Sequence, residues 1–172
     1  MESTVFVDGN NIMGSRPDGW WRDRAKAARR LVAEITPLAL GHGGVWTIVF
    51  DGRAPPGTEA APACLTLVHT GHGRRDSADH RIVELVHALP DRARSLVFTS
   101  DAKLRARVRA LGAQVTGARA LLNEIEAVHG ALEQSPTGRP FVIADGAGSS
   151  KRTDAGLPTT SNDHASRREP LC

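Results

Sequence analysis

Asp8, Asp51, Asp76, Asp79 and Asp101 are the residues of this chain most able to do chemistry together. Asp8 directly follows the apolar run Val5-Phe6-Val7, Asp51 directly follows Val45-Trp46-Thr47-Ile48-Val49-Phe50, and Asp101 comes just beyond Leu96-Val97-Phe98-Thr99. Asp76 and Asp79 stand immediately before a stretch whose apolar residues, Ile82, Val83, Leu85, Val86 and Leu89, have helical spacing. Taken singly, an aspartate after a strand is a turn residue or a helix N-cap. A set of carboxylates on one rim is another matter, because like charges repel and raise one another's pKa unless a cation compensates. Carboxylate oxygens, with water and substrate phosphate completing the shell, suit Mg²⁺ or Mn²⁺. Such a centre activates water and balances the charge that develops on a phosphodiester under attack.

The elements needed to bring these residues together are legible. Thr4–Val7, Val45–Phe50, Leu65–Val68, Leu96–Thr99 and Gln114–Val115 read as short strands, most of them continuous apolar runs. Helices are expected over Trp20 to Ile35, ended or bent by Pro37; over the stretch after Asp79 as far as Pro90; over Ala102 to Leu111, closed by Gly112; and over Ala118 to Leu132. Asp8-Gly9-Asn10-Asn11 reads as a turn, and residues 53 to 63 as a loop. Strands alternating with helices predict a three-layer α/β fold, Rossmann-like, around a mostly parallel sheet covered on both faces. In such a sheet ligands bind beyond the carboxyl ends of the strands. Asp8, Asp51 and Asp101 fall at that edge, and right-handed connection brings Asp76 and Asp79 to it as well.

A chain of 172 residues suffices for one domain with a real core. From Ser135 onward Gly, Ser, Thr, Pro and Arg predominate, and only Phe141-Val142-Ile143 is apolar. Residues 1–134 are therefore expected to form the domain and 135–172 a flexible tail. The net charge of +3 is weak evidence for a polyanionic partner, since basic and acidic residues are nearly balanced in the body and in the tail. Val5-Phe6-Val7 is too short for a signal or membrane segment and has no basic region before it. With only Cys64 and Cys172 as thiols, neither a disulfide framework nor export is expected, and a cytoplasmic setting without membrane contact is. Dinucleotide and P-loop fingerprints are lacking, as is a Gly-x-Ser-x-Gly elbow. Asp8-Gly9-Asn10 departs from the Asp-x-Asp of aspartate-nucleophile phosphatases at its third position, and His69, His72 and His80 lack the cysteine partner that would favour zinc.

Val7-Asp8-Gly9-Asn10-Asn11, Val49-Phe50-Asp51-Gly52, Asp76-Ser77-Ala78-Asp79 and Thr99-Ser100-Asp101, in this order and spacing, resemble the YacP-like NYN domains, a branch of the PIN-like nucleases. The resemblance runs from about Val5 to Ile125 and implies a PIN fold with Mg²⁺- or Mn²⁺-dependent endoribonuclease activity on single-stranded RNA. It implies Asp8, Asp79 and Asp101 as the metal-binding acids, with Asp51 and Asp76 beside them and Asn11 orienting Asp8 or binding phosphate. Messenger RNA, on the ribosome, is the target it suggests. Family members often carry an aromatic residue where Asn10 stands.

Arg74 and Arg75 before Asp76, and Lys103, Arg105, Arg107 and Arg109 after Asp101, put positive charge on both flanks of the acids. Arg74, Arg75, Lys103 and Ser100 are accordingly expected among the substrate contacts, although the basic run from Lys103 reads equally well as a solvated helix face. Trp20-Trp21 offers either a stacking surface for unpaired bases or a hydrophobic anchor for the following helix, whereas Trp46 is expected in the core. The competing function is an RNA- or protein-binding module that keeps the fold without catalysis.

Overall fold

The computed structural model describes residues 3–54, 61–71 and 77–133. Five strands, β1 (Thr4–Asp8), β2 (Val45–Phe50), β3 (Leu65–His69), β4 (Ser95–Phe98) and β5 (Gln114–Thr116), form one sheet in the order β3-β2-β1-β4-β5, every pair parallel. Helices α1 (Gly9–Gly14) and α2 (Arg24–His42) lie between β1 and β2, α3 (Ser77–His87) between β3 and β4, α4 (Ala102–Ala110) between β4 and β5, and α5 (Ala118–Glu133) after β5. The expected three-layer α/β fold is the one observed.

Period-two alternation divides the core. Val5, Val7, Trp46, Ile48, Phe50 and Phe98 face the layer holding Leu31, Ile35 and Leu38 of α2 and Leu121 and Ile125 of α5. Phe6, Val49 and Val97 face Ile82 and Val86 of α3 and Leu104 and Val108 of α4. β1, in the middle, pairs with β2 on one side and β4 on the other, so the connections reverse direction at the β1–β4 boundary. That reversal opens a crevice at the carboxyl ends of β1 and β4, where Asp8 and Thr99-Ser100-Asp101 lie.

Two local expectations need correction. The turn expected at Asp8–Asn11 is the start of a helix, because Asp8 accepts a hydrogen bond from the Asn11 backbone N–H and the next turn buries Ile12 and Met13. Gly9 suits this tight entry, since a Cβ there would collide with the Phe50 ring. Pro37 does not end the second helix, which continues to His42. Its missing N–H costs one rung, but Leu38 and Ala39 beyond it are buried, and the Thr36 hydroxyl donates to the Val32 carbonyl at 2.7 Å. Packing outweighs the backbone preference at this point. The expected domain boundary at 134 and the tail after it lie outside the described residues, as do Arg74, Arg75 and Asp76.

Candidate active site

Asp8 is the centre of the site, and its position follows from its neighbours on both sides. As the last residue of β1 it is only 4% exposed. Oδ1 accepts from the Asn11 N–H at 3.1 Å, and Oδ2 accepts from the Thr99 hydroxyl at 2.9 Å. Thr99, fully buried at the end of β4, also accepts from the Asp101 N–H at 3.1 Å. One hydroxyl thus joins the ends of the two strands that border the crevice. Burial, followed by the charges of Asp79 and Asp51, pushes the Asp8 carboxyl from 3.8 up to about 6, against the lowering effect of its two hydrogen bonds.

Asp51 and Asp79 reach the site through α3. Oδ1 of Asp51 accepts from the Ser77 hydroxyl and from the Ala78 N–H, both at 2.7 Å, and so holds the first turn of α3 at the end of β2. Ser77 is hydrogen-bonded in turn to the Thr70 hydroxyl at 2.7 Å, and Thr70 accepts from the Gly52 N–H at 3.2 Å. Asp79 stands in that first turn, close enough for its charge to act on Asp8. Asn10, which sequence reasoning left without a role, accepts from the Asp51 N–H at 3.0 Å and ties the first turn of α1 to the end of β2.

Asp101 caps α4: its Oδ1 accepts from the Lys103 and Leu104 N–H groups, both at 2.8 Å. The helix-cap expectation holds for this residue, which stands just beyond β4 at the carboxyl edge of the sheet. Among the described residues no three His, Cys, Asp or Glu side chains are gathered closely enough to hold a metal ion. Electrostatic repulsion acts over longer distances than coordination, so the acids influence one another without forming a closed cage.

Asn11 orients Asp8 through its backbone N–H, while its side-chain Oδ1 accepts from the Ser100 N–H at 2.7 Å. The Ser100 hydroxyl accepts from the Ala118 N–H at 3.0 Å and fixes the start of α5. Lys103 is exposed on α4, with its backbone N–H in the Asp101 cap. Trp46 is in the core, 2% exposed. The tryptophan pair divides its roles: Trp20 packs against the core, and Trp21 is 60% exposed.

Sequence reasoning also missed Arg24 and Arg53, and weighed His69 only as a zinc ligand. Together with Asn10, Phe50 and Asp51 they line a cavity of about 210 Å³ beside the acids. His69 stacks on Phe50, ring centroids 5.2 Å apart, and burial lowers its pKa from 6.5. Only the burial of Phe50 was legible in advance. The other contacts depend on how the loops after β2 and β3 lie against α2.

A parallel five-stranded sheet with acids tethered at its switch point, together with the matches that follow, places the chain among PIN-like domains of nuclease type. The chain belongs to the YacP-like NYN domain family, whose model matches residues 5–146. Its fold is similar to the crystal structure of Rae1 (YacP) from Bacillus subtilis, with TM-score 0.64 and 26% identity over 76% of this chain and 77% of that one. A tryptophan-to-leucine mutant of the same protein matches with TM-score 0.63 and 25% identity, covering 76% and 79% of the two chains. No curated protein sequence matches significantly. A nuclease-type function related to RNA is the class that this membership supports.

Proposed function

We propose that this chain is a divalent-metal-dependent endoribonuclease that hydrolyses phosphodiester bonds of single-stranded RNA. The observation that carries this reading is the buried Asp8 carboxyl, raised to about 6 by burial and by the charges of Asp79 and Asp51. A fold that tethers both oxygens of a carboxylate and then sets two further acids near it bears an electrostatic cost that a cation would relieve. Mg²⁺ keeps several waters and commonly takes one or two protein carboxylates together with substrate phosphate oxygens, so an open acidic site fits it without a closed cage. Asp8 and Asp79 are the acids proposed to hold the ion, with Asp101 reached directly or through water. When bound, the cation supplies an activated water and neutralises charge on the phosphate.

The chain's own groups position that chemistry. Thr99 and the Asn11 N–H fix the orientation of the Asp8 carboxylate at the end of β1. Asp51 acts as a positioning residue by fixing the turn that carries Asp79. Arg74, Arg75 and Asp76 keep their proposed places beside the acids on sequence grounds, and Lys103 is proposed to meet phosphate from α4. Cytoplasmic messenger RNA is the substrate source proposed from the resemblance. No helix among the described residues is long and apolar enough to cross a membrane.

The second reading is a binding module without catalysis, and the absence of a preformed three-acid cage among the described residues is the observation that favours it. A generic single-stranded oligoribonucleotide incubated with Mn²⁺ or Mg²⁺, with a chelator control, separates the two. Metal-dependent endonucleolytic products are expected; RNA binding without cleavage under either ion would establish the module.

A further inference from the structure

We infer that Trp21, with Arg24 and Arg53, forms a platform that holds the single strand on one side of the acidic crevice, an unpaired base stacking on Trp21 and phosphates meeting the two arginines. The inference rests on the nuclease reading for the nature of its ligand, and its residues lie outside the acid set. Trp20 is fixed against the core, and Trp21 meets it edge to face, ring centroids 6.4 Å apart and planes at 86°. The indole at 21 is thereby steadied by its neighbour while remaining 60% exposed. The Arg24 guanidinium lies 5.1 Å above the Trp20 ring, held by a cation–π contact, and Arg24 also lines the cavity that contains Arg53 and Asp51. Arg24 is therefore shared between the tryptophan pair, through its contact with Trp20, and a small cavity that Arg53 and Asp51 also line.

This combination suits unpaired nucleic acid. Successive bases stack on aromatic faces while cations follow the backbone, and stacking tolerates any base because each has a π-face. Duplex RNA offers no free base face to Trp21. Asn10 adds a polar side chain to the same cavity while its Oδ1 holds the Asp51 N–H.

The test measures affinity and cleavage separately on the full chain. Binding of a fluorescein-labelled oligouridylate is followed by anisotropy in EDTA, and cleavage of the same oligomer in Mn²⁺. Trp21→Ala should weaken binding about tenfold, the size of a lost base stack. Trp21→Phe should recover most of that loss. In cleavage, Trp21→Ala should raise KM with little change in kcat, and its melting temperature should stay near that of the wild type because the side chain is largely in solvent. Arg24→Gln and Arg53→Gln should each reduce the salt dependence of binding by about 0.7 in log Kd against log salt. Wild-type affinity in Trp21→Ala, with wild-type protein cleaving normally, overturns the platform and leaves the nuclease reading intact. Trp21-dependent binding without any metal-dependent cleavage supports the platform and removes the nuclease reading. If the wild type neither binds nor cuts the oligomer, both fall.

Discussion

Asp8 must be ionised to hold a cation, yet the fold favours its protonated form, and this opposition makes the residue testable by pH. Its folded pKa of about 6 lies above the value of 3.8 for the free group, so above pH 6 the ionised carboxylate costs stability in full. As the pH falls through 6 toward 4 the folded protein binds a proton that the unfolded chain does not, and that cost is removed. Asp8→Asn keeps an acceptor for the Asn11 N–H and can donate to the Thr99 oxygen. In chelator at pH 8 it should stabilise the protein by up to about 3 kcal/mol, taken from a shift of about two units. The gain should shrink on acidification to pH 4, and urea unfolding at the two pH values measures it; a variant less stable than wild type at pH 8 would contradict the assignment. Thr99→Val tests the other partner. Removing the hydroxyl leaves the half-buried Asp101 N–H and the buried Asp8 Oδ2 without it, at a cost of about 1–3 kcal/mol. It should also raise the Asp8 pKa further, moving the acidic limb of the pH–rate profile upward. Added Mn²⁺ should move that limb down again, since cation and proton compete for one carboxylate.

At the scale of elements, the site depends on loops stitched by side chains, with Asp51 the clearest case. Asp51→Ala should release the first turn of α3, lowering stability by about 1 kcal/mol, the usual worth of such a cap, and slowing cleavage by displacing Asp79. Asp51→Asn keeps an acceptor for the Ala78 N–H and should recover most of the stability. Equal stability loss in both variants, followed by thermal melting, would mean that the charge of Asp51 rather than its cap holds the helix. These contacts mark the limit of what the sequence discloses. The strands were legible because their apolar runs are short and end abruptly in polar residues, and that same abruptness located Asp8, Asp51 and Asp101. The six residues of α1 were not, since Gly9, Asn10 and Asn11 favour turns, and only the Asp8 cap and the burial of Ile12 and Met13 make a helix there. Nor does linear order disclose that Asn10 meets the residue after β2, or that Arg24 and Arg53 share a cavity, because both depend on how the segment after β2 lies against α1 and α2.

For the whole molecule, the apolar layers on the two faces of the parallel sheet hold in place the strands whose ends carry the acids. The match to the YacP-like family runs to residue 146, beyond the end of α5 at Glu133. Residues 140–172 contribute few apolar side chains, and deleting them should leave the melting temperature and metal-dependent cleavage close to those of the full chain. A fall of many degrees on deletion would place Phe141-Val142-Ile143 within the domain. Mn²⁺ should raise the melting temperature of the wild type through binding to the native state, and should do so less when one acid is removed. The central claim, that acids at the switch point hold a metal that cuts RNA, is tested most directly by cleavage of a single-stranded oligoribonucleotide with wild type and Asp79→Asn, each in Mn²⁺ and in EDTA. The wild type should cut only with Mn²⁺, and Asp79→Asn should cut at least about a hundredfold more slowly while melting at the same or a higher temperature. Cleavage by Asp79→Asn at the wild-type rate, or wild-type cleavage that survives EDTA, would contradict it.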